Sequence, residues 1–137
     1  MTTYHNMNPQ DQPFDFMLDE NKRIVFSCNF LPTAVAPVIN LEREVAKLIN
    51  TAGLGTLNTD MFIGRTRTLP EDGDEAFVQI LHTGGLPPGY IHNNDEPNLE
   101  HPSFQILVRS KDFEAARTRA WAIWHVLDRV RHEIVVA

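Results

Sequence analysis

Over Ala76–His82 the chain sets Phe77, Gln79 and Leu81 on one side of an extended segment and Val78, Ile80 and His82 on the other. Apart from Gln79 and His82 both sides are apolar, which is the pattern of a central strand and not of a solvent-facing edge. Such a strand needs partner strands beside it and at least one packed layer over it. The partners are legible nearby. Ile24, Phe26, Cys28 and Phe30 alternate with Val25, Ser27 and Asn29, so Arg23–Phe30 reads as a strand, paired in a hairpin with Pro13–Leu18. The turn between them is Asp19-Glu20-Asn21-Lys22, where Asp and Asn side chains close local turns. Phe104, Ile106 and Val108 line one side of a strand over Ser103–Arg109. Met61–Arg67 and Glu133–Ala137 read as further strands.

The packed layer comes from two helices. Leu41, Val45, Leu48 and Ile49 fall at i, i+4, i+7 and i+8, one helical face, with Asn40 as N-cap and Gly53 as a left-handed stop. Ser110 or Asp112 caps a second helix that runs to about Leu127 and buries Phe113, Ala116, Ala120, Ile123, Trp124 and Leu127. The expected fold is therefore α+β: a mostly antiparallel sheet of four to five strands with two helices packed on it. Its core is expected from the helix Asn40–Ala52, the helix bearing Trp121 and Trp124, and Phe26, Phe77, Phe104 and Ile106. At 137 residues the chain suits a single domain, 1–137. Within it the hairpin portion is 1–30, the proline-bearing stretch 31–39 (LPTAVAP, then Val38 and Ile39) is a linker, and 40–137 is the remainder.

Lys and Arg total 12 against 18 Asp and Glu, a net charge of −6. That sign argues against a general nucleic-acid binder, though not against a protein that lets DNA pass without holding it. Cys28 is the lone cysteine, which excludes an internal disulfide and suits an intracellular setting. No stretch approaches the roughly 20 apolar residues that span a bilayer, so no membrane role is expected.

Candidate chemistry is sparse. His92 and His101 flank Asp95, Glu96 and Glu100, and His82 ends the central strand, but no pair has the tight spacing of a metal site. Phosphate-binding loops and nucleophile elbows are missing too, so no catalytic residue, metal or cofactor is assigned. A small hydrolase using His82, Asp95 and His101 is the distant alternative. Charge placement says more. Glu71, Asp72, Asp74 and Glu75 crowd one turn; only if copies of the chain formed a ring would these carboxylates stand at a rim or lumen and repel DNA phosphates, a role Asp95, Glu96 and Glu100 could share. Arg65, Arg67, Arg117 and Arg119, with Arg129 and Arg131, are candidates for pairing with a neighbouring subunit. The span Thr83–Pro102 reads as a polar loop about three times the usual connection length. Gly84, Gly85, Pro87, Pro88, Tyr90, Asn94 and Asp95 mark it as an arm for contact with another subunit.

One ordered combination is informative: a strand ending His82-Thr83-Gly84-Gly85, the long polar loop, His101-Pro102-Ser103-Phe104-Gln105-Ile106-Leu107-Val108-Arg109, then Phe113-Glu114-Ala115-Ala116 leading a helix to Leu127. It resembles the tail-terminator and minor capsid (head–tail joining) proteins of tailed bacteriophages. The resemblance implies a structural virion protein, assembled in the host cytoplasm, that forms a ring usually of six copies. Such a ring caps the tail tube, stops its polymerisation and docks to the head connector. The partners implied are the chain itself, the tail tube protein and a head connector or stopper protein, with DNA passing through unbound. Another ring-forming neck protein is the near alternative. In the family a hairpin text of the type Gln-Pro-Phe … Asp-Glu-Asn-Lys-Arg follows the second helix. Here Gln12-Pro13-Phe14, Asp19–Arg23 and Ile24–Phe30 stand at the front. The order is that of a circular permutation, which predicts that the two ends of the chain meet within or beside one strand.

Overall fold

A computed structural model of the chain describes all residues except 1, 19–23, 36–37, 39, 65–75, 91–96, 132 and 136–137. In chain order the elements are β1 (Thr2–Asn6), β2 (Phe14–Leu18), β3 (Ile24–Phe30), β4 (Thr33–Val35), α1 (Leu41–Thr51), β5 (Met61–Ile63), β6 (Phe77–Tyr90), β7 (Pro97–Ser110), α2 (Phe113–Asp128) and β8 (Glu133–Val135). The α+β class and the two helices match expectation. The sheet does not: among the described residues it has eight strands instead of four to five, and it is mixed. β5 runs parallel to β6, pairing Met61 with Val78 and Ile63 with Ile80.

β7 organises the sheet. Along one edge it pairs with β6 over nearly its whole length, from Phe77↔Arg109 to Tyr90↔Pro97. Its other edge is divided: β3 takes Phe104 to Ser110 and β4 takes Leu99 and Glu100. The sheet forks at that division. One branch continues to β2 and the other to β1 and β8. The expected linker therefore holds a strand, β4, whose central Ala34 is fully buried against Tyr4 and Glu100. The expected loop Thr83–Pro102 is mostly strand too, a continuation of β6 and β7 whose turn lies outside the described residues. Its Gly-Gly and Pro-Pro pairs are accommodated by breaks in register at His82/Gly84 and Leu86/Gly89.

Both helices lie on one face. Phe104, Ile106 and Val108 of β7, Val78 and Ile80 of β6, and Phe26, Cys28 and Phe30 of β3 point to it and join Leu41, Val45, Ile49, Ala116, Ala120, Ile123 and Leu127 in one buried cluster. The Phe30 and Phe104 rings stack 5.0 Å apart, a contact worth about 1 kcal/mol beyond its buried area. Phe77 departs from expectation. It is buried on the opposite face, edge-on to Phe62 at 5.9 Å and beneath the Arg109 guanidinium at 3.7 Å. The reason is parity: Phe77 pairs with Arg109, one residue out of phase with the inward set. Phe113, expected in the helical stripe, is 40% exposed at the first turn of α2, where it touches Phe26.

The helix ends follow local chemistry. α2 starts at Asp112, whose carboxylate accepts from the backbone N–H groups of Glu114 and Ala115. α1 starts at Asn40, but the Asn40 side chain makes no capping bond; only its carbonyl accepts, from Glu44 N–H at 3.0 Å. α1 stops at Gly53, φ +76°, with Gly53 N–H bonded to the Asn50 carbonyl and Leu54 N–H to that of Ile49. That pair of bonds is the Schellman arrangement, which needs the left-handed residue that glycine supplies.

Candidate assembly surfaces

On its β6 side the hairpin of β6 and β7 extends past the strand that supports it, whereas on its β7 side β4 reaches Leu99. β5 pairs with β6 only from Val78 to Ile80, so the outer edge of β6 beyond Ile80 has no strand beside it among the described residues. Gly84 and Gly85 have φ of +104° and +131°, and Thr83 and Ser103 hydroxyls meet at 2.7 Å across the pair. At Gly85 a Cβ would collide with the His101 carbonyl oxygen and sit 2.7 Å from the Pro102 Cα, so only glycine lets the strands close there. Of the expected arm residues, Gly84, Gly85, Pro87, Pro88 and Tyr90 belong to β6, while Asn94 and Asp95 lie outside the described residues. Arg65, Arg67 and the carboxylates Glu71, Asp72, Asp74 and Glu75 also lie outside them.

Arg117 is exposed on α2, but Arg119 is committed within its own chain. Its Nη2 donates to the Leu54 carbonyl at 2.9 Å and forms an ion pair with Asp60 Oδ2 at 3.0 Å, and its Nε donates to Leu54 as well. This bracket ties α2 to the turn between α1 and β5. A second tie runs from Trp124 Nε1 to the Asp11 carbonyl at 2.8 Å, while the Asp11 carboxylate accepts from Asn29 N and Nδ2, both at 2.8 Å.

His82 and His101 of the hydrolase alternative lie on opposite faces of the sheet. His82 pairs with Phe104, which places it on the helix-bearing face, where it borders a groove with Glu42 and Thr83. His101 pairs with Leu86 and approaches Thr33 Oγ1 at 3.5 Å on the other face. The sheet separates them, and Asp95 lies outside the described residues. Cys28 is buried, and burial, with the nearby Asp11, pushes its thiol up to about 12, the reverse of what a nucleophile needs.

Two features had no clear sequence signal. Glu44, on the inward side of α1, is 2% exposed; its Oε1 accepts from Thr2 Oγ1 at 2.7 Å and from the Tyr4 hydroxyl at 3.4 Å. The second is a set of exposed apolar side chains on β4, β6, β7 and β8: Val35, Leu86, Leu99 and Ile134. They come from four separate stretches of chain, and only strand pairing brings them onto one surface. Strands near the two ends of the chain are also paired: Thr2 of β1 stands opposite Val135 of β8.

Compared with known proteins, residues 48–135 match the family model described as bacteriophage tail terminator protein. No curated protein and no solved structure matches. The matched span runs from the C-terminal half of α1 through both long strands and α2 to β8.

Proposed function

The chain belongs to the bacteriophage tail terminator family, whose members are structural proteins of the phage tail, and from that premise we propose that copies of it form a ring that closes the end of the tail tube. The ring, of six copies as the resemblance implies, stops tube polymerisation and offers its other face to the head connector. The family match carries this reading, and it covers the hairpin of β6 and β7 and α2.

Self-association draws on the β6–β7 hairpin and on the short edge strand β8, since strands without a neighbour invite pairing with another chain. Arg65, Arg67 and Arg117 pair with the adjacent subunit; Arg119 serves its own chain through Leu54 and Asp60. Glu71, Asp72, Asp74 and Glu75 face the rim or lumen and keep the DNA phosphates in transit from sticking, in keeping with the net charge of −6. We further propose that the chain carries the family pattern in circularly permuted order, a reading supported by Thr2 lying opposite Val135.

The test is a capping assay. Tail tube protein is allowed to polymerise with and without this protein, and tube lengths are measured by electron microscopy. Addition is expected to shorten the tubes and leave ring-shaped density at one end. Tubes that lengthen unchanged, with no density at either end, overturn the proposal.

A further inference from the structure

The fork at β7 divides the sheet into two halves. One runs β5-β6-β7-β3-β2 and the other β6-β7-β4-β1-β8. In the first, two strands flank β7 on each side; in the second, one strand flanks it on the β6 side and three on the other. The sheet is therefore stepped at both margins, and the steps are complementary: β8 projects by one strand in the half where β6 falls short by one.

Both margins of that half are open. β6 has no strand beside it beyond Ile80 among the described residues, and His82 through Leu86 are exposed. Val78 N–H donates to the Asp60 carbonyl and Gly64 N–H donates to the Ile80 carbonyl, both at 2.8 Å. The backbone of His82, next in that alternation, faces the same outer side. A groove of about 530 Å³ opens there, bordered by Gly64, Leu81, His82 and Thr83. At the opposite margin β8 pairs with β1 alone among the described residues, and Glu133 and Ile134 are exposed.

The face turned away from the helices carries a large apolar side chain at each margin. Ile134, 60% exposed, begins a row that crosses this face through Thr3, Val35 and Leu99. Leu86, 59% exposed, lies on the same face at the β6 margin, opposite His101. They are the two most exposed large apolar side chains among the described residues. Strand direction agrees as well. β6, β7, β4, β1 and β8 are antiparallel in succession, and four reversals leave β8 running with β6. Two copies joined at these margins with the same face outward meet in parallel, the relation that β5 already has to β6.

We propose that β8 of one copy adds to β6 of the next as a parallel strand in line with β5, filling the notch beyond Ile80 and setting Ile134 beside Leu86. This rests on the ring reading above and names the strands that join its subunits. A two-fold contact of β8 with β8 would match Ile134 with itself and leave β6 bare. The head-to-tail contact uses both margins of every copy, as a closed ring requires.

The test uses the full chain with Cys28→Ala, which removes the native thiol, and adds Leu86→Cys or Ile134→Cys. Neighbouring strands lie about 4.8 Å apart, within reach of a disulfide. Unchanged melting and circular dichroism select the variants that fold. Oxidised at several hundred micromolar, a mixture of the two is expected to give a covalent dimer, and neither variant alone. A chain with both substitutions is expected to give a ladder of linked copies. His82→Pro removes an outward N–H at an edge position that tolerates proline, and is expected to weaken association at least tenfold in mass measurement. A dimer from either cysteine variant alone overturns the head-to-tail pairing. Oligomers of the wild type that give no cross-link in the mixture, or that persist undiminished in His82→Pro, overturn it too and leave the ring standing. A wild type that stays monomeric at every concentration overturns the ring itself, and the pairing with it.

Discussion

Thr2 Oγ1 lies 2.7 Å from Glu44 Oε1, so the first strand and the first helix are joined by a hydroxyl and a buried carboxylate 42 residues apart. Among the described residues Glu44 Oε2 has no hydrogen-bond partner, which leaves the carboxylate to the donors that reach Oε1. Thr2→Val, which keeps the shape and removes the donor, is expected to cost about 1–3 kcal/mol in urea unfolding. Tyr4→Phe is expected to cost less, since its bond is 3.4 Å long. Equal losses for the two variants would show that the shorter bond has no special weight.

The pairing of Thr2 with Val135 bears on chain order. A permutant that joins Ala137 to Met1 through a short Gly/Ser linker and opens between Ala36 and Pro37 is expected to fold. Its circular dichroism should match the parent and its stability fall within about 2 kcal/mol, because a short closure costs little entropy. An unfolded permutant would count against a cheap exchange of ends.

The Arg119 bracket is expected to stabilise α2 against the turn after α1. Arg119→Ala removes the hydrogen bonds to Leu54 and the pair with Asp60, for a loss of about 1–2 kcal/mol. Asp60→Asn should cost much less, because Asp60 is 40% exposed and water screens the pair. Denaturant midpoints of the two variants decide it; a larger loss for Asp60→Asn would mean that the carboxylate, not the Leu54 carbonyl, is the main anchor.

At Gly85 the strands are too close for a side chain. Gly85→Ala is expected to open the hairpin at Thr83–Ser103 and raise amide exchange there, with the core amides of Phe104, Ile106 and Val108 unchanged. Equal exchange rates in parent and variant would place the hairpin's stability elsewhere.

Burial of Cys28 predicts how stability falls in alkali. The folded thiol titrates near 12, above the ordinary thiol value of 9.0, so the native state holds its proton after the unfolded chain has released it. This contribution is whole below pH 9 and is lost as pH rises toward 12, at about 1.4 kcal/mol per pH unit at most. Tyr4, also raised by burial and by Glu44, adds to the same trend. Cys28→Ala is expected to flatten the alkaline limb of a stability profile; a profile that keeps its slope would rule out the thiol as its source.

The sequence reveals the elements that carry apolar periodicity, and little of what depends on pairing. α1, α2, β3, β6 and the body of β7 follow from the spacing of Val45, Ile49, Ile123, Leu127, Phe26, Ile80 and Ile106. β1 is hidden by Thr2, Thr3, His5 and Asn6, polar residues around Tyr4, whose inward position matters only once it meets Ala34. β4 is hidden by flanking prolines, and the upper hairpin by glycines that resemble loop punctuation but sit in a closely paired ladder. The separation of His82 from His101 needs the register, which no spacing rule supplies. The exposed row is illegible for the same reason: Val35, Leu99 and Ile134 are isolated apolar residues until the strands align.

The divided edge of β7 has a mechanical consequence. β7 is locked to β3 by seven consecutive pairs, from Ile24↔Ser110 to Phe30↔Phe104, and their hydrogen bonds lie across the strand axis. A tug on the hairpin tip would load these bonds in shear, all sharing the force at once, and would not peel them apart singly. The hairpin of β6 and β7 is thus anchored along its shaft, by β3 from Phe104 to Ser110 and by β4 at Leu99 and Glu100.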